Sequence, residues 1–269
     1  MHANIWAVNF HELCFSVAKN SDVVDIPKLT EDQDSEVYFN QLLPEALELA
    51  ALEKDLHFDV IIVDEGQDFR PAWFRALESL LKDSEDSIYY IFYDDNQRIY
   101  NQATIPYKWP SYRLSKNMRN TVQIFSLVQR YYFEPTRIFP SGVTGPDPLF
   151  VDLDQFSDEL EALESTIQWL VKENNIKLSK IAILTPRSKG KSIWSQKKLP
   201  QKKYKLVWNV ETFGNQVTCA TIYGFKGLEK PVIILTELDG LYPQKAEELL
   251  YVGISRARDF LIVLGELPV

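Results

Sequence analysis

The sequence predicts an α/β protein whose strands run mainly parallel. Short apolar runs such as Val60-Ile61-Ile62-Val63 read as strands buried in a parallel sheet. These runs alternate with amphipathic stretches of helical length, which implies crossover connections. At 269 residues the chain is long enough for two domains of ordinary size.

The elements follow in order. Residues 9–19 read as a short helix and 20–34, polar and acidic with Pro27, as a loop. Residues 35–55 place Tyr38, Leu42, Leu43, Leu47, Leu49 and Leu52 at helical positions. A strand over 58–63 ends in paired acids. Pro71 opens a helix to about Lys82, a favoured place for proline. A strand over 88–93 ends at Asp94-Asp95-Asn96-Gln97. A short extended stretch at Tyr112-Arg113-Leu114 precedes a helix over about 120–132. The densest Pro/Gly punctuation, Phe139 to Pro146, marks the expected domain boundary. It gives domains of residues 1–140 and 141–269. The second half repeats the rhythm: strand 149–153, helix 156–174, strands 180–184, 217–221 and 231–235, helix 244–256, strand 259–264. No internal repeat or low-complexity tract is evident.

Composition excludes several classes. The chain is 45% hydrophobic and 25% charged, which is globular. No stretch approaches the ~18 apolar residues of a membrane helix, and the N-terminus lacks the basic-then-apolar pattern of a signal peptide. Cys14 and Cys219 stand far apart in apolar surroundings and read as reduced core residues of a cytoplasmic protein. His2, His11 and His57 have no metal-ligand spacing with them. A net charge of −9 argues against a general nucleic-acid coat. The charge is uneven, however: Lys177 to Lys205 holds ten Lys or Arg and no acid. That segment reads either as a solvated loop or as a local basic groove.

Asp64-Glu65-Gly66-Gln67-Asp68 is the sharpest chemical signal. Open α/β sheets bind ligands at the carboxyl ends of their strands, and these acids follow the Val60–Val63 run. Asp64 suits magnesium, which takes one or two carboxylates plus phosphate oxygens. Glu65 suits a water-activating base. The other reading is a strand capped by solvated acids.

Four further stretches accompany the acids. They are Asp94-Asp95-Asn96-Gln97-Arg98-Ile99-Tyr100, Leu114-Ser115-Lys116-Asn117-Met118-Arg119-Asn120, Thr221 to Glu229, and Leu249 to Ala257. In this order the chain resembles superfamily 1 helicases of the UvrD/Rep type, motifs II to VI, from about residue 58 onward. The resemblance implies two RecA-like domains, the first truncated at its N-terminus, that bind ATP and magnesium and act on single-stranded DNA. It implies that Asp64 holds magnesium, Glu65 activates water and Gln97 senses the γ-phosphate. Gln67 takes a nucleotide role as well. Arg119 and Arg256 reach the γ-phosphate as cationic fingers. Glu229 accepts a hydrogen bond from the ribose, and Gly227 allows close backbone approach. For DNA the candidates are Tyr100 as a stacking face and Thr221, Lys226, Lys197 and Lys198 as backbone contacts. Tyr100 also fits a core role, and Arg256 also fits a cation at a helix end.

Departures are visible. Met118 replaces the tyrosine that the family stacks on adenine, Tyr223 replaces a histidine, and Ser255 replaces a threonine. The largest departure is the absence of an intact Gly-x-x-x-x-Gly-Lys-Ser/Thr phosphate loop. Gly190-Lys191-Ser192 ends such a pattern, but Thr185 stands at its first glycine. The expectation is a C-terminal motor portion, inactive alone, whose phosphate loop lies in an upstream portion of the same polypeptide. The alternative is a degenerate helicase-like module that binds nucleic acid or protein without hydrolysis. A small hydrolase using Gly190-Lys191-Ser192 ranks last.

Overall fold

The computed structural model describes residues 5–19, 21–25, 34–83, 86–94, 96, 110–133, 137–196 and 204–268. The chain divides into two compact units, Met1–Pro110 and Ser111–Val269. The described residues of 111–140, assigned to the first domain by the sequence reading, therefore fall in the second unit.

The first unit opens with α1 (Phe10–Ala18), capped by Asn9, whose side-chain oxygen accepts from the Glu12 N–H at 2.8 Å. The predicted helix 35–55 appears as α2 (Ser35–Val37), a π-turn over Tyr38–Leu42, and α3 (Leu43–Glu53). Pro44 explains the interruption. It has no N–H and would clash with the Asn40 carbonyl in a regular α-turn. The chain widens instead, and the Leu43 N–H reaches back five residues to Tyr38. Next come β1 (Val60–Val63), α4 (Pro71–Ser79) and β2 (Ile88–Ile91). Strands β1 and β2 pair in parallel, Val60 opposite Ile88 and Val63 opposite Ile91. The core gathers Leu13, Cys14, Leu47, Val63, Phe74 and Leu80. Phe10 stacks on Trp73 with centroids 4.9 Å apart.

The second unit begins with β3 (Lys116–Asn117), α5 (Val122–Val128), β4 (Phe139–Pro140) and β5 (Leu149–Val151). Then follow α6 (Glu159–Lys172), β6 (Ile181–Thr185), α7 (Ile193–Gln196) and β7 (Lys205–Val207). It closes with β8 (Gln216–Thr221), β9 (Lys230–Leu235), α8 (Ala246–Ser255) and β10 (Ala257–Leu264). Six strands form one parallel sheet in the order β5-β10-β9-β6-β8-β7. The expected α/β class with a parallel sheet is what the chain adopts. Alternation sorts the faces. Val232 and Ile234 join Leu163, Ile167 and Leu170 of α6 in one core. Leu235 faces the other way, where Gly253 of α8 sits so close that an added Cβ would lie 3.2 Å from it. Central β6 is buried at all five positions, as a strand covered on both faces must be.

Cys14 and Cys219 are free and buried, as expected. Burial pushes the Cys14 thiol up to about 12 and raises Cys219 too, so neither serves as a thiolate at neutral pH. Among the described residues no helix is long and apolar enough to cross a membrane.

Candidate functional site

In the first unit the acids sit where the sequence places them, at the carboxyl end of β1. Glu65 adopts the left-handed conformation, φ 54°, ψ 39°, one that non-glycine residues seldom hold. It turns the chain into a short 3-10 helix, Gly66–Asp68. The exposed Asp64 accepts from the Glu65 N–H at 3.0 Å. Gln67 is 1% exposed and both ends of its amide are engaged. Its nitrogen donates to the Glu65 carboxylate, and its oxygen accepts from the Asp94 N–H at 3.0 Å. Gln67 therefore joins the β1 acids to the stretch after β2. In this structure it orients Glu65 and is turned inward.

Gly66 permits this junction. Its N–H donates to Phe92 O at 2.8 Å, and an added Cβ would lie 2.4 Å from the Ile91 methyl. Gly66→Ala is expected to cost about 1–3 kcal/mol through forced displacement of β2. Urea denaturation measures it; an unchanged midpoint would contradict the packing.

The second unit collects another set. Arg119 donates from Nε to a Glu229 carboxylate oxygen at 2.8 Å. Arg258 approaches the other oxygen at 3.6 Å. These three side chains are 36%, 40% and 45% exposed for Arg119, Glu229 and Arg258. Such exposed pairs are worth ~0–1 kcal/mol, so either arginine can leave the carboxylate at low cost. Gly227, at φ 77°, makes the turn before Glu229 in a conformation that favours glycine. Thr221 accepts from the Gly224 N–H at 2.8 Å and so caps the turn that carries Lys226.

Arg256 lies differently. It is 1% exposed, and its guanidinium donates to the carbonyls of Val252 at 3.1 Å and Leu228 at 3.4 Å and to the Ser255 hydroxyl at 2.9 Å. Here it closes the C-terminus of α8. Arg258, two residues on, is the exposed arginine beside Glu229. Sequence reading passed over it because Arg256 carried the motif, although both arginines were visible at that helix end.

A second feature missed from the sequence is a carboxylate pair at the carboxyl end of β9, Glu237 buried and Glu159 half-buried. Glu237 is 2% exposed and accepts from Thr185 Oγ1 at 2.8 Å, Ser192 Oγ at 2.6 Å and the Ile193 N–H at 3.1 Å. Glu159 accepts from Thr236 Oγ1 at 2.6 Å and the Glu237 N–H at 2.8 Å. Burial raises the Glu159 carboxyl, and these two hydrogen bonds oppose the rise.

Gln97, Tyr100, Lys197 and Lys198 lie outside the described residues. The remaining candidates fall into two groups: Asp64, Glu65 and Gln67 in the first unit, and Arg119, Thr221, Lys226, Gly227, Glu229 and Arg256 in the second. No group of three or more His, Cys, Asp or Glu able to hold a metal occurs among the described residues.

Residues 216–264 match the family model of the UvrD-like helicase C-terminal domain. Among solved structures the chain is similar to the C-terminal domain of a possible DNA helicase from Lactobacillus plantarum WCFS1. Identity is 18% over 56% of this chain and 88% of that one, with a TM-score of 0.43. It is also similar to Arterivirus nonstructural protein 10 (helicase), at 16% identity over 76% of this chain and 38% of that one, TM-score 0.39. The same viral protein solved with DNA gives 14% identity over 76% and 38%, TM-score 0.41. The present chain thus spans 38% of that helicase's length. The matched segment runs from β8 to β10 and includes Thr221, Lys226, Gly227, Glu229, Arg256 and Arg258. Over residues 216–264 the second unit is similar to the UvrD-like helicase C-terminal domain.

Proposed function

We propose that the chain is the C-terminal motor portion of an ATP-dependent helicase or translocase acting on single-stranded DNA. The observation that carries this is the strained Glu65 beside Asp64 at a parallel-strand end, in a chain whose residues 216–264 match the UvrD-like helicase C-terminal domain. Strain of this kind concentrates at functional sites.

Asp64 would hold magnesium, which when bound draws charge from the phosphate oxygens. Glu65, oriented by Gln67, positions the attacking water and takes its proton. Arg119 and Arg258 release Glu229 and turn to phosphate, and the vacated carboxylate accepts from the ribose. Planar guanidinium groups suit phosphate oxygens better than ammonium does. Arg256 keeps its place in the proposal as the second-domain cation, provided that it leaves the α8 carbonyls on nucleotide binding. Gln97 senses the γ-phosphate, and Gly227 lets the backbone approach. Tyr100, Thr221, Lys226, Lys197 and Lys198 meet DNA.

The phosphate loop is supplied by polypeptide outside these residues. The first unit supports this from its own surface. Val60, Ile62, Ile88, Tyr90 and Phe92 are all exposed on or beside the β1–β2 sheet. Parallel strands are ordinarily covered on both faces. The second reading, a binding module without hydrolysis, draws on the buried, carbonyl-bound Arg256 and the absent phosphate loop. ATP hydrolysis separates the two. The longer polypeptide is expected to hydrolyse ATP with stimulation by single-stranded DNA, and residues 1–269 alone to do so weakly or not at all. DNA binding without hydrolysis in both would favour the binding module. Robust DNA-stimulated turnover by residues 1–269 would overturn the external phosphate loop.

A further inference from the structure

The two units share a sequence that folds the same way twice. Val60-Ile61-Ile62-Val63-Asp64-Glu65 and Val232-Ile233-Ile234-Leu235-Thr236-Glu237 each form a parallel strand followed by a left-handed glutamate. Glu65 has φ 54°, ψ 39° and Glu237 has φ 54°, ψ 36°. Each then enters a 3-10 turn, Gly66–Asp68 or Leu238–Gly240. At the same spacing from the glutamate, Pro71 opens α4 and Pro243 opens a 3-10 turn that leads into α8. No repeat was evident from sequence because the copies are short and surrounded by unlike residues.

The copies differ in what the glutamate does. Thr236 stands where Asp64 stands, and Glu237 is buried. Its carboxylate fills the concavity of the loop between β6 and α7, bound to a hydroxyl before it (Thr185), a hydroxyl after it (Ser192) and the Ile193 N–H. Thr185 Oγ1 also accepts from the Arg187 N–H at 3.0 Å. Arg187 runs toward Glu237, 3.6 Å from Nε, and pairs with Asp239. It lies so close over Gly240 that a Cβ there would be 2.8 Å from it. The loop that ends Gly190-Lys191-Ser192 is therefore closed by the protein's own anion. A Cβ on Gly190 would meet nothing within 4 Å, so no close approach requires glycine there.

This loop lies within the basic segment, and its Lys189 and Lys191 are exposed. We infer that Glu237 is a positioning residue for nucleic-acid binding. Its buried carboxylate ties the loop carrying Lys189 and Lys191 to the carboxyl ends of β6 and β9, so that both ammonium groups meet the phosphate backbone in a fixed place. The inference rests on the reading of the basic segment as DNA-facing.

The test is binding of a fluorescent oligothymidine to the full chain as salt is varied, at a temperature well below unfolding. Lys189→Glu with Lys191→Glu is expected to weaken binding at least tenfold and to flatten the salt dependence, by about 0.7 in log–log slope per lost phosphate contact on a single strand. Glu237→Gln and Thr185→Val, which removes only the hydroxyl, are expected to weaken binding several-fold and flatten the slope likewise. Thr185→Ser, which keeps the hydroxyl, should restore both. A merely structural role would lower the melting temperature of Thr185→Val and leave affinity and slope unchanged, which overturns the inference. If charge reversal itself changes nothing, the segment is not in the nucleic-acid site, and the inference falls with that reading. If charge reversal weakens binding while Thr185→Val and Glu237→Gln do not, the inference alone falls.

Discussion

Glu65→Gln in the full-length protein is expected to lower ATP turnover by roughly 10²–10⁴-fold, the usual worth of a positioned base, while ATP binding survives. Glutamine keeps the length of the side chain and an oxygen to accept from Gln67, so the bridge to the Asp94 N–H stays intact. It cannot take a proton from water. The backbone adds a second signature. At φ 54° a side chain costs roughly 1–2 kcal/mol that glycine does not. Glu65→Gly should relax that strain, at the loss of the hydrogen bond to Gln67, and should be as inactive as Glu65→Gln. Single-turnover hydrolysis with a nucleotide-binding assay gives the answer. Retained turnover in Glu65→Gln would remove Glu65 as the base and leave Asp64–Glu65 as a capped strand end.

Much of the fold was legible because buried parallel strands announce themselves. β1, β6, β8, β9 and β10 are apolar runs, and their carboxyl ends were placed within a residue or two. The short edges were not legible. β7 and the β3–β4 pair are two or three residues long, and no apolar run marks them. The acids and the Thr221–Glu229 turn came from the motifs. Where side chains go did not follow, because that depends on partners distant in sequence. Arg119 and Glu229 are far apart in the chain and bonded in space. Arg256 and Arg258 look equivalent on paper, yet one is buried under α8 carbonyls and the other exposed. Gln67 turns inward because the Asp94 N–H lies on the neighbouring strand's continuation. The Pro/Gly-rich stretch near residue 141 looked like a linker, yet Val122 donates to the Val143 carbonyl at 2.8 Å across it.

Asn120→Ala is the substitution expected to cost most in stability, about 3 kcal/mol from three broken hydrogen bonds and two buried carbonyls left unpaired. Asn120 is 2% exposed. Its Nδ2 donates to Ser255 O at 3.1 Å and Ala257 O at 2.6 Å, and its Oδ1 accepts from Asn117 Nδ2 at 2.8 Å. Those carbonyls flank Arg256 at the α8–β10 junction, where the helix ends. The side chain thereby stitches the Lys116–Arg119 stretch to the sheet, helped by the Thr121 N–H, which donates to Arg258 O at 3.2 Å. This ties the stretch before α5 to the α8–β10 junction and places Arg119 beside Glu229. For a unit of this size a loss of that order lowers the melting temperature by roughly 6–12 °C. Asn120→Asp should do worse. A carboxylate offers no donor to the two carbonyls, so its folded pKa rises above the unfolded ~3.9. Stability then holds below that unfolded value and falls as pH climbs through the folded one. Thermal unfolding of both variants between pH 4 and pH 8 reads this directly. A loss under 0.5 kcal/mol for Asn120→Ala, or a pH-independent penalty for Asn120→Asp, would show that the junction is held by packing of α5 on α8 instead.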